Sequence, residues 1–450
     1  MPESLQDTRH KKETNTNIAA GIKAVMLCAG LGKRMLPLTT HHLPKPMFPL
    51  GGGVPMAEIW VKKLVAAGIA DITMNLSVLS ESIQGYFGNG QSLGADISYV
   101  REEEPSGTFG GACKMALGRE AKDLTSNDTI YNIEPFTGDT VIIASGDIVT
   151  NFASHHLEQL HEIHKREGAA FTLVLSPVPW EERGEFGTVQ LSDTRSRSDE
   201  LSQVGRVRKF IEKDPASPSN LNNASIYLMD AGLLRMLDTF RTPARLDIEE
   251  PFYDFGKHVF PALLQRLDYI NLPGDFPVIG VEYDGLWYDV GRKKDYLDVN
   301  RDVLDKKVNV DIPYNRHDWG YLGSPVSIDF DSVTIVPPVV IGNGCTIEAG
   351  ATIGPHAVIG DGWHIASNAK VSNSVLWGRG DFYLDSGKII PAEERKSVDP
   401  HAIRHSASVE NCIVAGGSVE GIHLEETIDV LEDGSVDVSD IYQTYTGKRA

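Results

Sequence analysis

The string Ala29-Gly30-Leu31-Gly32-Lys33-Arg34, with Pro37-Leu38-Thr39 and Pro44-Lys45-Pro46 close behind it, is suited to holding a chain of phosphates. It follows directly on the aliphatic run Lys23–Cys28. Glycines placed straight after a strand let main-chain N–H groups approach phosphate oxygens with no side chain in the way. Arg34 can grip two oxygens in one fork, and Lys45 adds a compact point charge. A lone Gly-x-Gly would mean only a tight turn; the arginine, Pro-Leu-Thr and Pro-Lys-Pro in fixed order make the string specific. Met35 and Leu36 stand where the dinucleotide fingerprint wants a third glycine, so that fingerprint is absent.

Other chemistry-bearing residues are less promising. His41-His42 and His155-His156 lack the carboxylate or cysteine spacing of a metal site and read as loop or helix-surface residues. Cys28, Cys113, Cys345 and Cys412 lie far apart with no CxxC pair, which argues against a disulfide framework or zinc knuckle and suits a reducing compartment.

The phosphate string needs a scaffold, and the flanking pattern supplies one. Strands are expected at Lys23–Cys28, Ile72–Leu76, Val141–Ala144 and Ala170–Leu175, alternating with helical runs at Met56–Ala67, Glu81–Phe87 and His155–Arg166. This order predicts an α/β fold, an open, mostly parallel, Rossmann-like sheet covered on both faces. In such sheets ligands sit at the carboxyl ends of the strands, where the phosphate string falls. Residues 1–20 read as a disordered polar tail and 21–302 as the catalytic domain, followed by a linker over 303–326.

A second period then begins. Ile335, Ile341, Ile347, Ile353, Ile359, Ile365 and Val371 recur every six residues without a gap. One aliphatic per six residues, with turn-formers between, predicts a left-handed parallel β-helix over 327–424. The similarity of Ala369–Val375 to Ala407–Ile413 marks an insertion over about 378–406, and 425–450 reads as an acidic tail.

The 450 residues carry a net charge of −20, which argues against general nucleic-acid or anionic-membrane binding. Met1–Asn17 lacks the apolar run of a signal peptide, and no stretch reaches the ~18 apolar residues of a membrane span. The expected address is the cytoplasm.

With these motifs in place, residues 22–300 resemble the sugar-1-phosphate nucleotidyltransferases, the NDP-sugar pyrophosphorylases, in which an attached β-helix is common. The resemblance implies transfer of a nucleoside monophosphate from a nucleoside triphosphate (NTP) to a sugar 1-phosphate. Ala29, Gly30, Leu31, Gly32 and Lys33 would hold the nucleotide, with Arg34, Lys45 and Asp147 catalytic. Ser145-Gly146-Asp147 and Trp287-Tyr288-Asp289-Val290-Gly291 resemble the two elements whose carboxylates, Asp147 and Asp289, bind Mg2+. Gly107-Thr108-Phe109-Gly110-Gly111-Ala112 is similar to the base-binding loop that opens a helix, placing Gly107 and Thr108 on the nucleotide. Gly187, Glu212, Lys213 and Asn223 would hold the sugar phosphate: Lys213 its phosphate, Glu212 its hydroxyls.

Three departures bear on substrate choice: Phe109 replaces a small residue, Ser225 a glycine, and Asp214 is inserted before Pro215. Mannose 1-phosphate with GTP is the leading expectation. Glucose 1-phosphate with UTP or dTTP, or an N-acetylmuramate or heptose 1-phosphate, are the alternatives. A catalytically silent regulatory subunit is a reading of another class, countered by the presence of all five charged site residues. An acyltransferase β-helix would need a general base, for which His356 and His364 are candidates. Homo-oligomerisation through the β-helix is the expected partnership.

Overall fold

In the computed structural model, the described residues are 21–118 apart from 31, 37, 42 and 78, then 129–131, 133, 136–240, 253–265 and 276–378, with short stretches between 384 and 437. The expected tail over 1–20 lies outside them. β1 (Ile22–Leu27) is an unbroken apolar run, as a strand covered on both faces requires. Its side chains divide by alternation: Ala24 and Met26 enter one core, Val25 the other. α1 (Met56–Ala66) lays Trp60 and Leu64 into the first core.

β2 (Asp71–Leu76), α2 (Ser80–Phe87), β3 (Asp96–Arg101), α3 (Gly107–Leu117), β4 (Thr129–Tyr131), β5 (Thr140–Ser145), β6 (Ile148–Thr150) and α4 (Ser154–Arg166) follow. β1 pairs in parallel with β2 and β5, Val25 lying beside Thr73 and Ile143, and β2 pairs in parallel with β3. This is the sheet that the alternation predicts.

The second half departs from it. β7 (Phe171–Pro177), β8 (Gly187–Ser196), β9 (Gln203–Glu212) and β10 (Leu221–Asp230) follow one another with short connections and no crossover helix among β8, β9 and β10. Such connections reverse the chain, so pairing there is antiparallel. β10 inserts antiparallel between β5 and β7, with Ile226 beside Ala144 and Tyr227 beside Leu173. β11 (Val278–Glu282) returns parallel to β7. The order is β8-β9-β11-β7-β10-β5-β1-β2-β3-β4. Outside this sheet, β12 (Trp287–Asp289) pairs antiparallel with β6, setting Asp289 beside Ile148, and leads into α5 (Lys293–Leu304).

The hexad repeat folds as a three-sided parallel β-helix. In the regular part of the repeat, partners on successive coils are 18 positions apart, as Ile335 with Ile353 and Ile347 with Ile365. Ile341, Ile347, Ile353, Ile359, Ile365 and Val371 are all buried inside it. Ile335 is only partly covered, because it belongs to the outermost strand of its face.

Three expected boundaries move. The hairpin Asn315–His317/Gly320–Leu322 opens the first face, inside the segment read as linker; it carries no hexad aliphatic for periodicity to detect. The coil resumes at Ala402–Ile403, which pairs with His364–Ile365, inside the segment read as insertion. His423–Glu425 still continues the third face, and Asp429–Val430 pairs with Val436–Asp437 within the stretch read as tail.

Val340, Val358, Val375 and Trp377 project from one face of the β-helix into the same core as Phe48 and Tyr296 of the catalytic domain. Replacing the fully buried Ile359 by Ala is expected to cost about 2–5 kcal/mol. Chemical denaturation followed by circular dichroism checks it; a loss under about 1 kcal/mol would mean that this interior row is loosely packed.

Candidate active site

Two tight turns bring distant acids together. β5 ends in Ser145-Gly146-Asp147, and the β6–β12 pairing lays Asp289 alongside, with Val290 N–H donating to the Asp147 carbonyl at 3.4 Å. Trp60 secures β6 from below by donating its indole N–H to the Ile148 carbonyl at 2.9 Å. Lys45 completes a triad: its ammonium pairs closely with Asp147 Oδ2 and stands 3.6 Å from Asp289 Oδ1. Arg34 lies 3.8 Å from Asp289 on the solvent side, its side chain 59% exposed.

The electrostatics follow from this packing. Burial opposes the charge on Lys45, but Asp147 and Asp289 outweigh it and hold the ammonium above its ordinary pKa. Burial likewise pushes Asp147 up, yet the Lys45 charge and hydrogen bonds from Lys45 and Ser145 keep it below the usual carboxylate range. The Ser145 hydroxyl donates at 2.6 Å. Asp289, buried beside Asp147 and farther from Lys45, is held above that range.

Glycine lets the two turns sit close to their neighbours. A Cβ on Gly291 would stand 2.5 Å from the Arg34 guanidinium, and one on Gly146 would stand 2.8 Å from Cys28 Sγ.

A cleft of about 670 Å3 opens beside the triad. Ala29, Gly30, Gly32, Lys33, Lys45, Asp147, Gly107 and Thr108 line it, so most of the predicted nucleotide residues come together; Leu31 lies outside the described residues. Gly32 adopts φ +56, and its carbonyl accepts from the Thr39 hydroxyl at 3.1 Å, which is what the Pro-Leu-Thr element contributes.

At the far wall is a hub that sequence reasoning missed. Asn75, at the end of β2, accepts from the N–H groups of Cys28 and Ala29 at 2.7 and 3.3 Å and donates to buried Glu102 at 2.7 Å. Glu102, just past β3, also accepts from Ser106 N–H at 3.1 Å, and buried Lys114 lies 3.6 Å away. Their position at strand ends was the available signal.

The helix that opens with Gly107 differs from expectation in its donors. Phe109 and Gly110 N–H groups donate to the Tyr253 carbonyl at 2.9 and 3.3 Å. The Thr108 hydroxyl donates to Asp254 at 3.2 Å and accepts from Phe255 N–H at 3.0 Å. These groups hold the loop, and Thr108 also lines the cleft. Phe109 points into the core, edge-on to Phe255 at 5.3 Å.

Among the residues expected to hold the sugar phosphate, Gly187 pairs directly with Glu212. Cβ atoms on Gly187 and Gly256 would fall 2.9 and 2.6 Å from Glu212 Oε2, so two glycines make room for that carboxylate. Burial, then the nearby Asp254, raises its pKa. Lys213 follows, exposed, at φ +48. The inserted Asp214 accepts from Ala216 N–H at 2.8 Å, holding the next turn.

Asn223 donates to the buried Tyr227 hydroxyl at 2.8 Å. Ser225 stands at φ +58, which explains why glycine suits the position; Trp287 closes the bulge by donating to the Ala224 carbonyl at 3.0 Å. His155, His156 and Glu200 cluster elsewhere. There His156 Nδ1 accepts from Ala153 N–H at 2.9 Å, so the proton of the neutral ring sits on Nε2, facing Glu200 at 2.8 Å, and no lone pair is left for a metal.

A sheet presenting a glycine loop and a paired-acid triad at its strand ends defines a nucleotide-handling transferase. The chain belongs to the nucleotidyl transferase family, whose model matches residues 23–306, while a bacterial transferase hexapeptide model matches 331–373. It is 30% identical over 361 residues to a UTP–glucose-1-phosphate uridylyltransferase of Synechocystis, covering 79% of this chain and 83% of the relative. It is equally 30% identical over 327 residues to the mannose-1-phosphate guanylyltransferase catalytic subunit beta of Danio rerio, covering 72% and 74%. A mannose-1-phosphate guanylyltransferase of Mycobacterium tuberculosis is 28% identical over 283 residues, covering 63% and 65%. The activity is that of a sugar-1-phosphate nucleotidyltransferase, an enzyme class that generally uses a divalent metal.

Gly107 offers a direct check. It adopts φ +78, and a Cβ there would stand 2.3 Å from the Tyr253 carbonyl oxygen. Gly107→Ala is expected to weaken NTP binding at least tenfold by displacing the loop, as read by calorimetric titration; unchanged affinity would separate this loop from the nucleotide.

Proposed function

We propose that the cleft transfers GMP from GTP to mannose 1-phosphate, with Lys45 between Asp147 and Asp289 as the observation that carries the assignment of the reacting centre. An ammonium seated between two carboxylates marks a position made for positive charge beside a glycine-lined phosphate cleft. Two hard oxygen donors from separate turns fit Mg2+, which takes a few carboxylates and completes its shell with phosphate and water. Held by Asp147 and Asp289, that ion would neutralise phosphate charge.

The chain's own residues do the rest by position and charge. Arg34, on the open side, grips the triphosphate, and Lys45 holds its charge at the reacting phosphorus. Lys213 binds the phosphate of the sugar substrate, and Glu212, kept half-buried by Gly187 and Gly256, accepts from sugar hydroxyls. A sugar-phosphate oxygen forms a bond to the α-phosphorus as the bond to the bridging oxygen breaks, and pyrophosphate leaves with that electron pair. A phosphate is already a nucleophile, so no activated serine, cysteine or histidine is needed.

The likeness to mannose-1-phosphate guanylyltransferases supports that pair, with glucose 1-phosphate and UTP as the alternative. The triad's complete charges speak against a silent subunit. His356 and His364 lie within hydrogen-bond distance of Asp305 and Glu348, each at 2.7 Å. The cysteines, all buried and unpaired, favour a cytoplasmic setting; among the described residues no helix is long and apolar enough to cross a membrane.

Pyrophosphate release measured for GTP, UTP and dTTP against mannose and glucose 1-phosphates tests the assignment. The GTP–mannose pair should have the highest kcat/KM, and preference for another pair would overturn the substrate choice. Asp147→Ala is expected to lower kcat by roughly 100-fold or more. Chelation should abolish turnover and added Mg2+ restore it; near-normal turnover in either case would overturn the metal assignment.

A further inference from the structure

Within four residues of Lys45 the chain is gripped from the β-helix. Lys45–Met47 forms a single 3-10 turn, closed by Phe48 N–H donating to the Lys45 carbonyl at 3.1 Å. One side of this turn rests on the carboxylate turn: a Cβ built on Gly146 would stand 3.3 Å from Pro46 Cβ. Its other end enters an aromatic clamp. The Phe48 ring lies edge-on to Tyr296 of α5, with centroids 5.5 Å apart, and to Trp377, 4.8 Å apart. Trp377 directly follows the β-helix strand Val375–Leu376.

None of the three rings is more than 4% exposed. Polar bonds fix their order: Trp377 Nε1–H donates to the Tyr296 hydroxyl oxygen at 3.0 Å, and that hydroxyl donates to the Pro49 carbonyl.

We propose that Tyr296 and Trp377 are positioning residues for nucleotidyl transfer: through Phe48 and Pro49 the β-helix fixes the turn that aims Lys45 at Asp147 and Asp289. The proposal rests on the reading of the cleft given above. A lysine has a long, freely rotating side chain, so its ammonium is placed accurately only if its main chain is already immobile. The ion triad fixes the tip of that side chain, and the clamp fixes its root. Misplacing a reacting group by about 1 Å costs on the order of 100-fold in rate, so a small slackening of the turn is kinetically visible. The same domain boundary provides its own control: His356 Nε2 pairs with Asp305 Oδ1 at 2.7 Å, just beyond the end of α5 and away from the Lys45 turn.

The test uses the full chain with Mg2+ and two substrate pairs, GTP with mannose 1-phosphate and UTP with glucose 1-phosphate. Tyr296→Phe keeps the ring and removes the shared hydroxyl; Trp377→Phe keeps an aromatic contact and removes the indole N–H. Each is expected to lower kcat by about tenfold while both KM values stay within about twofold, and His356→Ala should leave kcat at the parental value.

Parental kcat in Tyr296→Phe, or an equal fall in His356→Ala, overturns the proposal. If Trp377→Phe does not fold, Tyr296→Phe decides alone. Hydrogen exchange over Lys45–Phe48 reads the clamp without turnover. It should quicken in Tyr296→Phe and not in His356→Ala, and unchanged exchange overturns the clamp. A parent that turns over neither pair, together with quickened exchange in Tyr296→Phe, would sink the functional reading and spare the clamp.

Discussion

An ammonium shared by two carboxylates at the floor of a cleft is a demanding arrangement. Each of the three groups loses water, and any one left unpaired would leave a partly buried charge exposed to about 3–5 kcal/mol of destabilisation. Lys45, Asp147 and Asp289 come from three separate parts of the chain, so the fold must deliver all three at once. Much of the architecture around them can be read as that delivery. The β6–β12 pairing sets the two acids side by side, Gly146 and Gly291 let neighbouring side chains press against the turns, and Ser145 holds one carboxylate by its second oxygen.

The division of the sheet matches the division of labour. The parallel half places the glycine loop, Asn75 and Glu102 at its strand ends, on the side proposed for the triphosphate. The antiparallel half presents Gly187, Glu212 and Asn223. Asp254 touches both, accepting from Thr108 while lying near Glu212.

Much of this was legible in the sequence because it rests on local pattern. Unbroken aliphatic runs marked the parallel strands, and a six-residue period marked the β-helix. The phosphate string was visible because several unusual residues stand in fixed order. Pairing direction in the second half was not legible, since β8, β9 and β10 have the composition of strands whichever way they run. Asn75 and Glu102 were missed because each is an ordinary residue whose importance comes only from what it meets across the sheet. The hydroxyl of Thr108 bonds to Asp254, a residue 146 positions away that no local pattern connects to it. Ser225 is the reverse case: its conflict with a glycine position was visible at once, and φ +58 gives the reason.

The β-helix carries one more consequence in its register. Partners 18 positions apart become partners 38 apart across the interruption, as Ile365 with Ile403 and Val371 with Val409, and the faces still continue beyond it, Ile403 meeting Val419 and Val409 meeting Leu424. A solenoid coil recognises only its immediate neighbours, so nothing beyond the junction records how much chain lies between. Closing a longer excursion costs only about 0.6 kcal/mol for each doubling of its length. This corner is therefore a growth point, where descendants of this chain can gain or shed sequence while the stacking of the coils is inherited intact.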